Sequence, residues 1–283
     1  MIANPGCILD HLIILGGGYI AAELGYFFET VGTEVTIIEM EENLLPKEDY
    51  EISETFTDIA EDRHNVLTGQ KVKQVSERGD DFVVITETET GDENRITGDE
   101  VLVALGRRPN TDTLNLQATD IKTNEHGFIK TNELLETTVE NIWAIGDIAD
   151  NSMFKHTADY EAKIVIRNSI EGKEEKANFE GTPHAIFTDP QIGSVGKKEQ
   201  ELEGKIEYKT GYSRFKDTAI NRAQKFKHGF VKVLVGEKNG NILGCHILGR
   251  EASILMILSS ILNVVALISL IRSSTSNPDQ VPL

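Results

Sequence analysis

Residues 12–23 read LIILGGGYIAAE, a short apolar run followed directly by three glycines and the start of a helical pattern. The spacing of the apolar residues predicts a strand over 12–15 and a helix over 19–30. The β-branched segment EVTIIE, residues 34–39, predicts a second strand. A strand, a glycine turn, a helix and a second strand form the unit from which parallel sheets are built.

The glycine turn has the form Gly16-x-Gly18-x-x-Ala21, which in this context is typical of a dinucleotide-binding site. Gly16 permits the tight turn, Gly18 lets the backbone approach a pyrophosphate, and Ala21 keeps the helix close to the sheet. The N–H groups at the positive end of the helix would bind the pyrophosphate. The alternative interpretation is an ordinary tight turn between a strand and a helix.

Glu39 is the second part of the predicted site, because it ends the next strand roughly 20 residues after the glycine turn. A carboxylate there accepts hydrogen bonds from the ribose hydroxyls of NAD and repels the extra phosphate of NADP. The following residues, Met40, Glu41 and Glu42, supply no arginine. NAD is therefore favoured over NADP, and the alternative is a solvated carboxylate at a strand end.

The rest of the chain predicts a mixed α/β protein. Before residue 172 we expect two helices (50–62 and 158–171), an antiparallel meander (71–75, 82–87 and 93–96), a buried strand (100–104) and an apolar strand (141–145). After a charged, glycine-bounded linker at 172–181 we expect five short strands (184–187, 191–195, 206–212, 230–236 and 242–248). Asn239-Gly240 between the last two predicts a hairpin.

The composition is that of an acidic globular protein. The chain has 283 residues, of which 39% are hydrophobic, and 46 acidic against 28 basic residues give a formal charge of −18. Such a charge opposes binding to nucleic acid and to anionic membranes. Two interpretations stay open, an ordinary acidic cytoplasmic protein or one adapted to a salty cytoplasm, where salt screens the surface charge.

The two cysteines, Cys7 and Cys245, are too far apart in sequence for a local redox motif or zinc site, and so few cysteines are typical of a reducing cytoplasm. Residues 1–10 lack the pattern of a secretory signal. Residues 254–271 are uncharged and just long enough for a membrane span. Their internal polar residues and missing flanking aromatics disfavour that span, so a buried helix or a disordered tail is preferred.

Five motifs in order resemble the pyridine-nucleotide–disulfide oxidoreductases, a family that includes dihydrolipoamide dehydrogenases and mercuric reductases. They are GGGYIAAE (16–23), TIIE (36–39), ALGRRPN (104–110), WAIGD (143–147) and FTDPQIGSVG (187–196). The resemblance implies three regions: an α/β, Rossmann-like NAD(P)-binding domain at 1–113, a remnant of an FAD-binding domain at 114–180, and an α+β dimerisation domain with an atypical tail at 181–283.

The resemblance also assigns residues on the nicotinamide side. Tyr19 matches the tyrosine that covers the nicotinamide pocket beside the flavin in this family. Glu23 matches the glutamate that pairs with a lysine near the flavin ring. That lysine belongs to a family segment without a match in this chain, so Glu23 is expected to be an unpaired carboxylate.

Four further positions are assigned in the same way. Gly106 would lie near the dinucleotide, Asp147 would bind the ribityl chain of FAD, Gly146 beside it is assigned to the same cofactor site, and His156 would border the flavin. From its sequence context alone, Asp147 either accepts hydrogen bonds from a sugar-like hydroxyl or caps the helix that follows.

The chain departs from the family at both ends. It has no match to the family's flavin-binding GxGxxG, its redox Cys-x4-Cys or its C-terminal His-Pro and Glu, so no catalytic residue is predicted. Asn277-Pro278 is no substitute, because an amide cannot move protons. We expect an FAD- and NAD(P)-dependent disulfide oxidoreductase that cannot complete disulfide exchange alone, and that forms a homodimer or binds a separately encoded FAD domain. The alternatives are a non-catalytic NAD-binding module and a decayed or frame-shifted gene.

Overall fold

A computed structural model describes residues 9–223, 226 and 228–261. The strands are β1 (His11–Leu15), β2 (Glu34–Ile38), β3 (Asn65–Leu67), β4 (Gln70–Arg78), β5 (Asp81–Thr88), β6 (Glu93–Gly98), β7 (Glu100–Val103), β8 (His184–Ile186), β9 (Gln191–Gly196), β10 (Tyr208–Arg214), β11 (Phe230–Gly236) and β12 (Ile242–Gly249). The helices are α1 (Tyr19–Thr30), α2 (Tyr50–Glu61), α3 (Lys155–Ser169), α4 (Glu199–Leu202), α5 (Ala219–Ala223) and α6 (Ala252–Ile261).

The chain forms two compact units. The first contains Met1–Gly106 together with Pro183–Leu283, and the second contains Arg107–Thr182. The predicted α/β fold class is confirmed, whereas the boundaries expected at residues 113 and 180 stay predictions.

The first unit is built on a parallel sheet in the order β3-β2-β1-β7. The predicted β1-α1-β2 unit is present, and β1 pairs with β2 in parallel. Alternate residues of β1 point to opposite faces of the sheet. Leu12 and Ile14 belong to a core cluster with residues of α1 and α2, whereas Ile13 and Leu15 pack with Val84 of the β4-β5-β6 meander. Each face of β1 is thus buried.

The strand predicted at 100–104 forms as β7, but the expectation that it is buried was wrong. It lies at the edge of the sheet, where β1 is its paired neighbour, and Val103 is 67% exposed. An apolar run identifies a strand, but its position in the sheet depends on which partners are available.

The C-terminal part of the first unit is an antiparallel sheet in the order β10-β11-β12-β9-β8. The predicted hairpin is confirmed, with β11 and β12 paired on either side of Asn239-Gly240. One face of this sheet packs on Ala252 and Met256 of α6. On the other face, Ile192 and Leu248 join the core cluster that contains α1 and α2.

The second unit has little regular structure apart from α3. The helix predicted at 158–171 forms over Lys155–Ser169. The strand predicted at 141–145 was wrong, since Trp143 makes only an isolated bridge to Glu136. Ala144 is nevertheless buried in a small cluster with Ile129. The apolar run at 141–145 therefore indicates burial of Ala144 correctly. It does not indicate a strand, because no neighbouring segment pairs continuously with its backbone.

The apolar segment 254–271 begins inside α6. Met256 is buried against the C-terminal sheet, whereas the side chain of Ile254 is exposed. Residues 262–271 lie outside the described part of the chain. Within the residues that the structure describes, no helix combines the length and apolar character that a membrane span requires.

Candidate functional site

The glycine turn is held between two strands of the parallel sheet. Gly16 has φ +101°, and a Cβ atom there would lie 2.6 Å from the carbonyl oxygen of Ala104. The Gly16 N–H donates to the carbonyl of Ile38 at 2.7 Å. Only glycine combines this φ with so close a backbone approach, so the turn requires Gly16 as the motif predicts.

Gly18 differs from Gly16, because it is needed for space and not for backbone conformation. It precedes α1 with φ −77°, and a Cβ atom on it would meet no atom within 4 Å, its chain neighbours aside. We call the region that this Cβ would enter the Gly18 space. It adjoins the first turn of α1, whose N–H groups have no partners within the helix. The positive end of a helix favours an anionic ligand.

Ala21 and Glu39 also lie where the motif predicts. Ala21 is fully buried against the sheet. The Glu39 carboxylate is only 8% exposed, so the alternative of a solvated strand-end carboxylate was wrong. It accepts hydrogen bonds from the N–H groups of Gly17 at 2.5 Å, Met40 at 2.7 Å and Glu41 at 3.0 Å. A carboxylate has about four acceptor positions, so capacity for a ribose hydroxyl remains.

The first residue of α1, Tyr19, is anchored by a buried carboxylate that the sequence did not reveal. The Tyr19 hydroxyl donates to Glu48 Oε1 at 2.5 Å. His184 Nε2 lies 2.7 Å from the same oxygen, and Ser194 Oγ donates to Glu48 Oε2 at 2.7 Å. The Tyr19 and His184 rings stack with centroids 5.7 Å apart. The sequence indication that could have pointed to Glu48 was the acidic pair Glu48-Asp49 directly before a predicted helix. Such a pair is usually interpreted as a helix cap.

The contacts of Glu48 keep it ionised. Burial opposes ionisation, but hydrogen bonding to His184 and the charge of that ring, with hydrogen bonds from Tyr19 and Ser194, outweigh burial. Together they lower the pKa of Glu48 from 4.5 to about 2. Burial and the adjacent Glu48 charge raise the pKa of the Tyr19 phenol well above its usual value, so Tyr19 stays a donor at neutral pH.

Replacing Glu48 by glutamine is expected to lower the free energy of unfolding by about 3 kcal/mol at pH 7. Because the folded-state pKa is depressed, this stabilisation is present above pH 4.5 and is lost as the pH falls toward 2. The difference between wild type and variant should therefore shrink by more than half between pH 7 and pH 3. Urea unfolding at both pH values measures it, and an unchanged difference would contradict the assignment.

Glu23 has a partner, contrary to expectation. Its Oε1 accepts a hydrogen bond from the Phe187 N–H at 2.9 Å. The expectation of an unpaired carboxylate was wrong because no local pattern indicates that the segment after β8 approaches α1. The donor is a backbone group, which no side-chain motif identifies.

Gly106 ends the first part of the first unit, with φ +137° and open space around the position of a Cβ. Gly146 and Asp147 lie in the second unit, in a short 3-10 helix, where the Gly146 N–H donates to Glu161 Oε2 at 2.5 Å. Asp147 Oδ2 accepts a hydrogen bond from Arg107 Nη1 at 3.0 Å. The residue preceding α3 is Phe154, so the alternative that Asp147 caps this helix was wrong.

His156 is an exposed residue of the first turn of α3. Its ring stacks on Phe154 with centroids 5.5 Å apart and an interplanar angle of 12°. The structure thus brings Gly16, Gly18, Tyr19, Ala21 and Glu39 together in the first unit and places Gly146, Asp147 and His156 in the second. Their contacts with nucleotides stay predictions.

A cleft of about 630 Å³ lies beside the segment that follows β2. Met40, Glu41, Glu42 and Glu89 are among its lining residues. Glu48 also lines the cleft, and four glutamates make it unfavourable for phosphate groups and suitable for hydroxyls or cations.

A buried lysine forms a second charged cluster at the start of α2. Lys232 is fully buried, and its Nζ lies 2.7 Å from Asp49 Oδ1, 2.6 Å from Glu199 Oε2 and 3.1 Å from Glu51 Oε2. It also lies 4.5 Å from the centroid of the Tyr50 ring. Burial lowers the pKa of Lys232, but the hydrogen bonds to Asp49 and Glu199 outweigh it and the net effect is a raised pKa. Lys232 therefore remains charged.

Comparisons with known proteins match both regions of the chain. Residues 3–162 match the sequence model of the pyridine nucleotide-disulphide oxidoreductases, and residues 182–269 match that of their dimerisation domain. The chain is 35% identical over 248 residues to the dihydrolipoyl dehydrogenase of Haloferax volcanii, covering 86% of this chain and 52% of that protein. It is 36% identical to a mercuric reductase of Staphylococcus aureus, covering 86% and 45%. The chain thus spans about half the length of the curated relatives it matches.

Solved structures agree with these matches. The Cu(II) complex of the HOCl-induced flavoprotein disulfide reductase RclA from Escherichia coli has a TM-score of 0.81 at 26% identity, covering 98% of this chain and 61% of that one. LpdA from Mycobacterium tuberculosis has the same fold, with a TM-score of 0.82 at 21% identity and coverage of 92% and 56%. Members of this family are oxidoreductases that use FAD and NAD(P)H. The chain belongs to the pyridine nucleotide-disulphide oxidoreductase family.

Proposed function

We propose that this chain binds NAD(H) at the α1 glycine turn and acts, as a homodimer, in an FAD-dependent disulfide oxidoreductase of the dihydrolipoyl dehydrogenase or mercuric reductase type. The open Gly18 space at the start of α1 carries the proposal. A pyrophosphate fits there because backbone N–H groups and the helix dipole both favour an anion. Glu39, at the end of β2, would accept a hydrogen bond from a ribose hydroxyl.

The acidic cleft after β2 supports NAD(H) over NADP(H). Glu41, Glu42 and Glu89 are among the residues that line it, together with Met40, the residue directly after Glu39. A 2′-phosphate on the adenosine ribose would bring negative charge toward these carboxylates, whereas the hydroxyl of NAD(H) would not.

The second unit supports an FAD contact through Asp147 and His156. The Asp147 side chain is 62% exposed even with Arg107 bound, so it has acceptor capacity for a polyol hydroxyl. The stacked rings of His156 and Phe154 offer a flat surface. When bound, FAD supplies the electron transfer between the nicotinamide and the acceptor, while residues of this chain bind and orient the two cofactors.

The dimerisation-domain match at residues 182–269 supports the homodimer. Within this region the structure describes the sheet β10-β11-β12-β9-β8, which would form part of the contact between the two subunits. Light scattering coupled to size exclusion should give twice the chain mass, and a monomer at micromolar concentration would contradict this part of the proposal.

A second candidate function is nucleotide binding without disulfide chemistry. The chain has only two cysteines, Cys7 and Cys245, and Cys245 is 1% exposed within β12. Disulfide exchange requires an accessible thiolate and a second thiol close to it. These two cysteines therefore favour a chain that handles the nicotinamide step alone.

NADH is expected to bind at least tenfold more tightly than NADPH, because the 2′-phosphate meets the acidic cleft. Titration of NADH and NADPH by calorimetry measures the ratio of dissociation constants. Replacing Glu41 and Glu42 together by lysine should lower the ratio of the NADPH dissociation constant to the NADH dissociation constant. Glu54→Lys combined with Glu61→Lys, at two exposed positions on α2, is the control for net charge alone. An equally large fall of this ratio in the control variant would contradict a local role for the cleft.

A visible spectrum decides between the two candidate functions. The protein is purified with FAD, free FAD is removed, and NADH is then added. A retained flavin band that NADH bleaches supports the oxidoreductase. A colourless protein that still binds NADH supports nucleotide binding alone, and failure to bind NADH contradicts both.

A further inference from the structure

We propose that Glu48 is a positioning residue of the dinucleotide site, which fixes the Tyr19 ring beside the glycine turn and is itself fixed by the C-terminal sheet. This inference rests on the proposed NAD(H) site. No motif in the sequence identifies Glu48, and its side chain, which is 0% exposed, would act on the nucleotide through Tyr19.

Contacts from several elements hold Glu48 in one position. Its side chain is 0% exposed and has donors from three elements, Tyr19 of α1, His184 of β8 and Ser194 of β9. Its carbonyl accepts a hydrogen bond from Gln200 Nε2 at 2.7 Å. Hydrogen bonds to an ionised carboxylate are about twice as strong as neutral ones, so the Tyr19 hydroxyl is held in one place.

The segment that contains Glu48 is also hydrogen-bonded to the glycine turn. The Leu45 N–H donates to the carbonyl of Gly17 at 2.8 Å, and the Glu48 N–H donates to the carbonyl of Leu45 at 2.9 Å. The segment 45–48 therefore contacts the turn at Gly17 and at Tyr19, on both sides of Gly18. The backbone of the turn and the first side chain of α1 are supported by one short segment.

A row of polar side chains crosses all five strands of the C-terminal sheet. Strand register places its members side by side on one face: Tyr212, Lys232, His246, Ser194 and His184. His184 and Ser194 bind Glu48, and Lys232 binds Asp49. Two consecutive carboxylates at the start of α2 are thus bound by one row, which links the position of Tyr19 to the C-terminal sheet.

The Tyr19 ring that Glu48 holds in place loses no conformational entropy when the nucleotide binds. A Tyr19 ring released from Glu48 must lose that entropy on binding, which lowers the affinity. Immobilising one such side chain weakens binding by about three- to tenfold. Tyr19→Phe and Glu48→Gln are each expected to weaken NADH binding by that factor. The double variant should bind NADH about as tightly as the single variant with the lower affinity. The second change adds no further loss, because both changes release the same ring.

Calorimetric titration of NADH into the wild type, the two single variants and the double variant of the full chain measures this cycle. Tyr160→Phe is the matched control, because it removes a hydrogen-bonded tyrosine hydroxyl in the second unit without touching Tyr19. It should lower stability and leave the dissociation constant for NADH unchanged.

Multiplicative losses in the double variant would overturn the proposal, since Glu48 would then act independently of Tyr19. Tyr19→Phe removes a single hydroxyl and guards against a misfolded Glu48→Gln, so wild-type affinity in Tyr19→Phe would also overturn it. A wild-type protein that binds no NADH contradicts the proposed function itself, which is a different result.

Discussion

Gly18→Ala is expected to weaken NADH binding by at least tenfold while the free energy of unfolding stays within about 0.5 kcal/mol of wild type. The backbone at Gly18, with φ −77°, accommodates alanine, and the new methyl group meets no protein atom beyond its chain neighbours within 4 Å. The methyl group would instead occupy the Gly18 space, where the proposal puts the pyrophosphate. Calorimetric titration and urea unfolding measure the two effects.

Gly16→Ala is the informative comparison, because it is expected to damage the fold. Its methyl group would lie 2.6 Å from the backbone oxygen of Ala104 at a φ of +101°. A strained backbone of this kind costs about 1–3 kcal/mol, and the backbone of Ala104 cannot move aside like a flexible side chain. If Gly18→Ala bound NADH normally, or lost as much stability as Gly16→Ala, the Gly18 space would not be a pyrophosphate site.

Lys232→Met is expected to lower the free energy of unfolding by about 3–5 kcal/mol, the cost of leaving buried charges without their partner. The substitution keeps the length of the side chain but removes the charge that neutralises Asp49 and Glu199. The loss should be smaller near pH 5 than at pH 7, because burial raises the pKa of Glu199 and the variant lacks the Lys232 hydrogen bond that lowers it, so Glu199 takes up a proton more readily. Urea unfolding at both pH values measures it.

Lys209→Met is the matched control for Lys232→Met. Lys209 also pairs with a carboxylate, Glu237, at 3.0 Å, but the two side chains are 73% and 47% exposed. Exposed pairs contribute about 0–1 kcal/mol. Similar losses in the two variants would mean that the buried cluster contributes no more than a surface ion pair.

Local patterns in the sequence predicted the β1-α1-β2 unit well. The helix Tyr19–Thr30 was predicted with its observed ends, and β1 and β2 were predicted to within one residue. The Asn239-Gly240 hairpin was likewise confirmed. Each of these elements is specified by residues adjacent in the chain, through apolar spacing and glycine-dependent turns.

Errors arose where a prediction depended on distant parts of the chain. The exposure of β7 and the lack of a strand at 141–145 depend on which segments are available for pairing. The partner of Glu23 is a backbone N–H some 160 residues away in sequence. No local pattern carries this information, because burial and pairing are properties of the assembled chain.

The sequence by itself determined the family of this protein, the β1-α1-β2 unit and the positions of Gly16, Gly18, Ala21 and Glu39, because a glycine-dependent turn between a strand and a helix is encoded locally. Only the tertiary structure decided that Glu48 holds Tyr19 and that Lys232 neutralises the carboxylates at the start of α2. Those contacts join side chains from separate elements, and their strength comes from a burial that no single segment can produce.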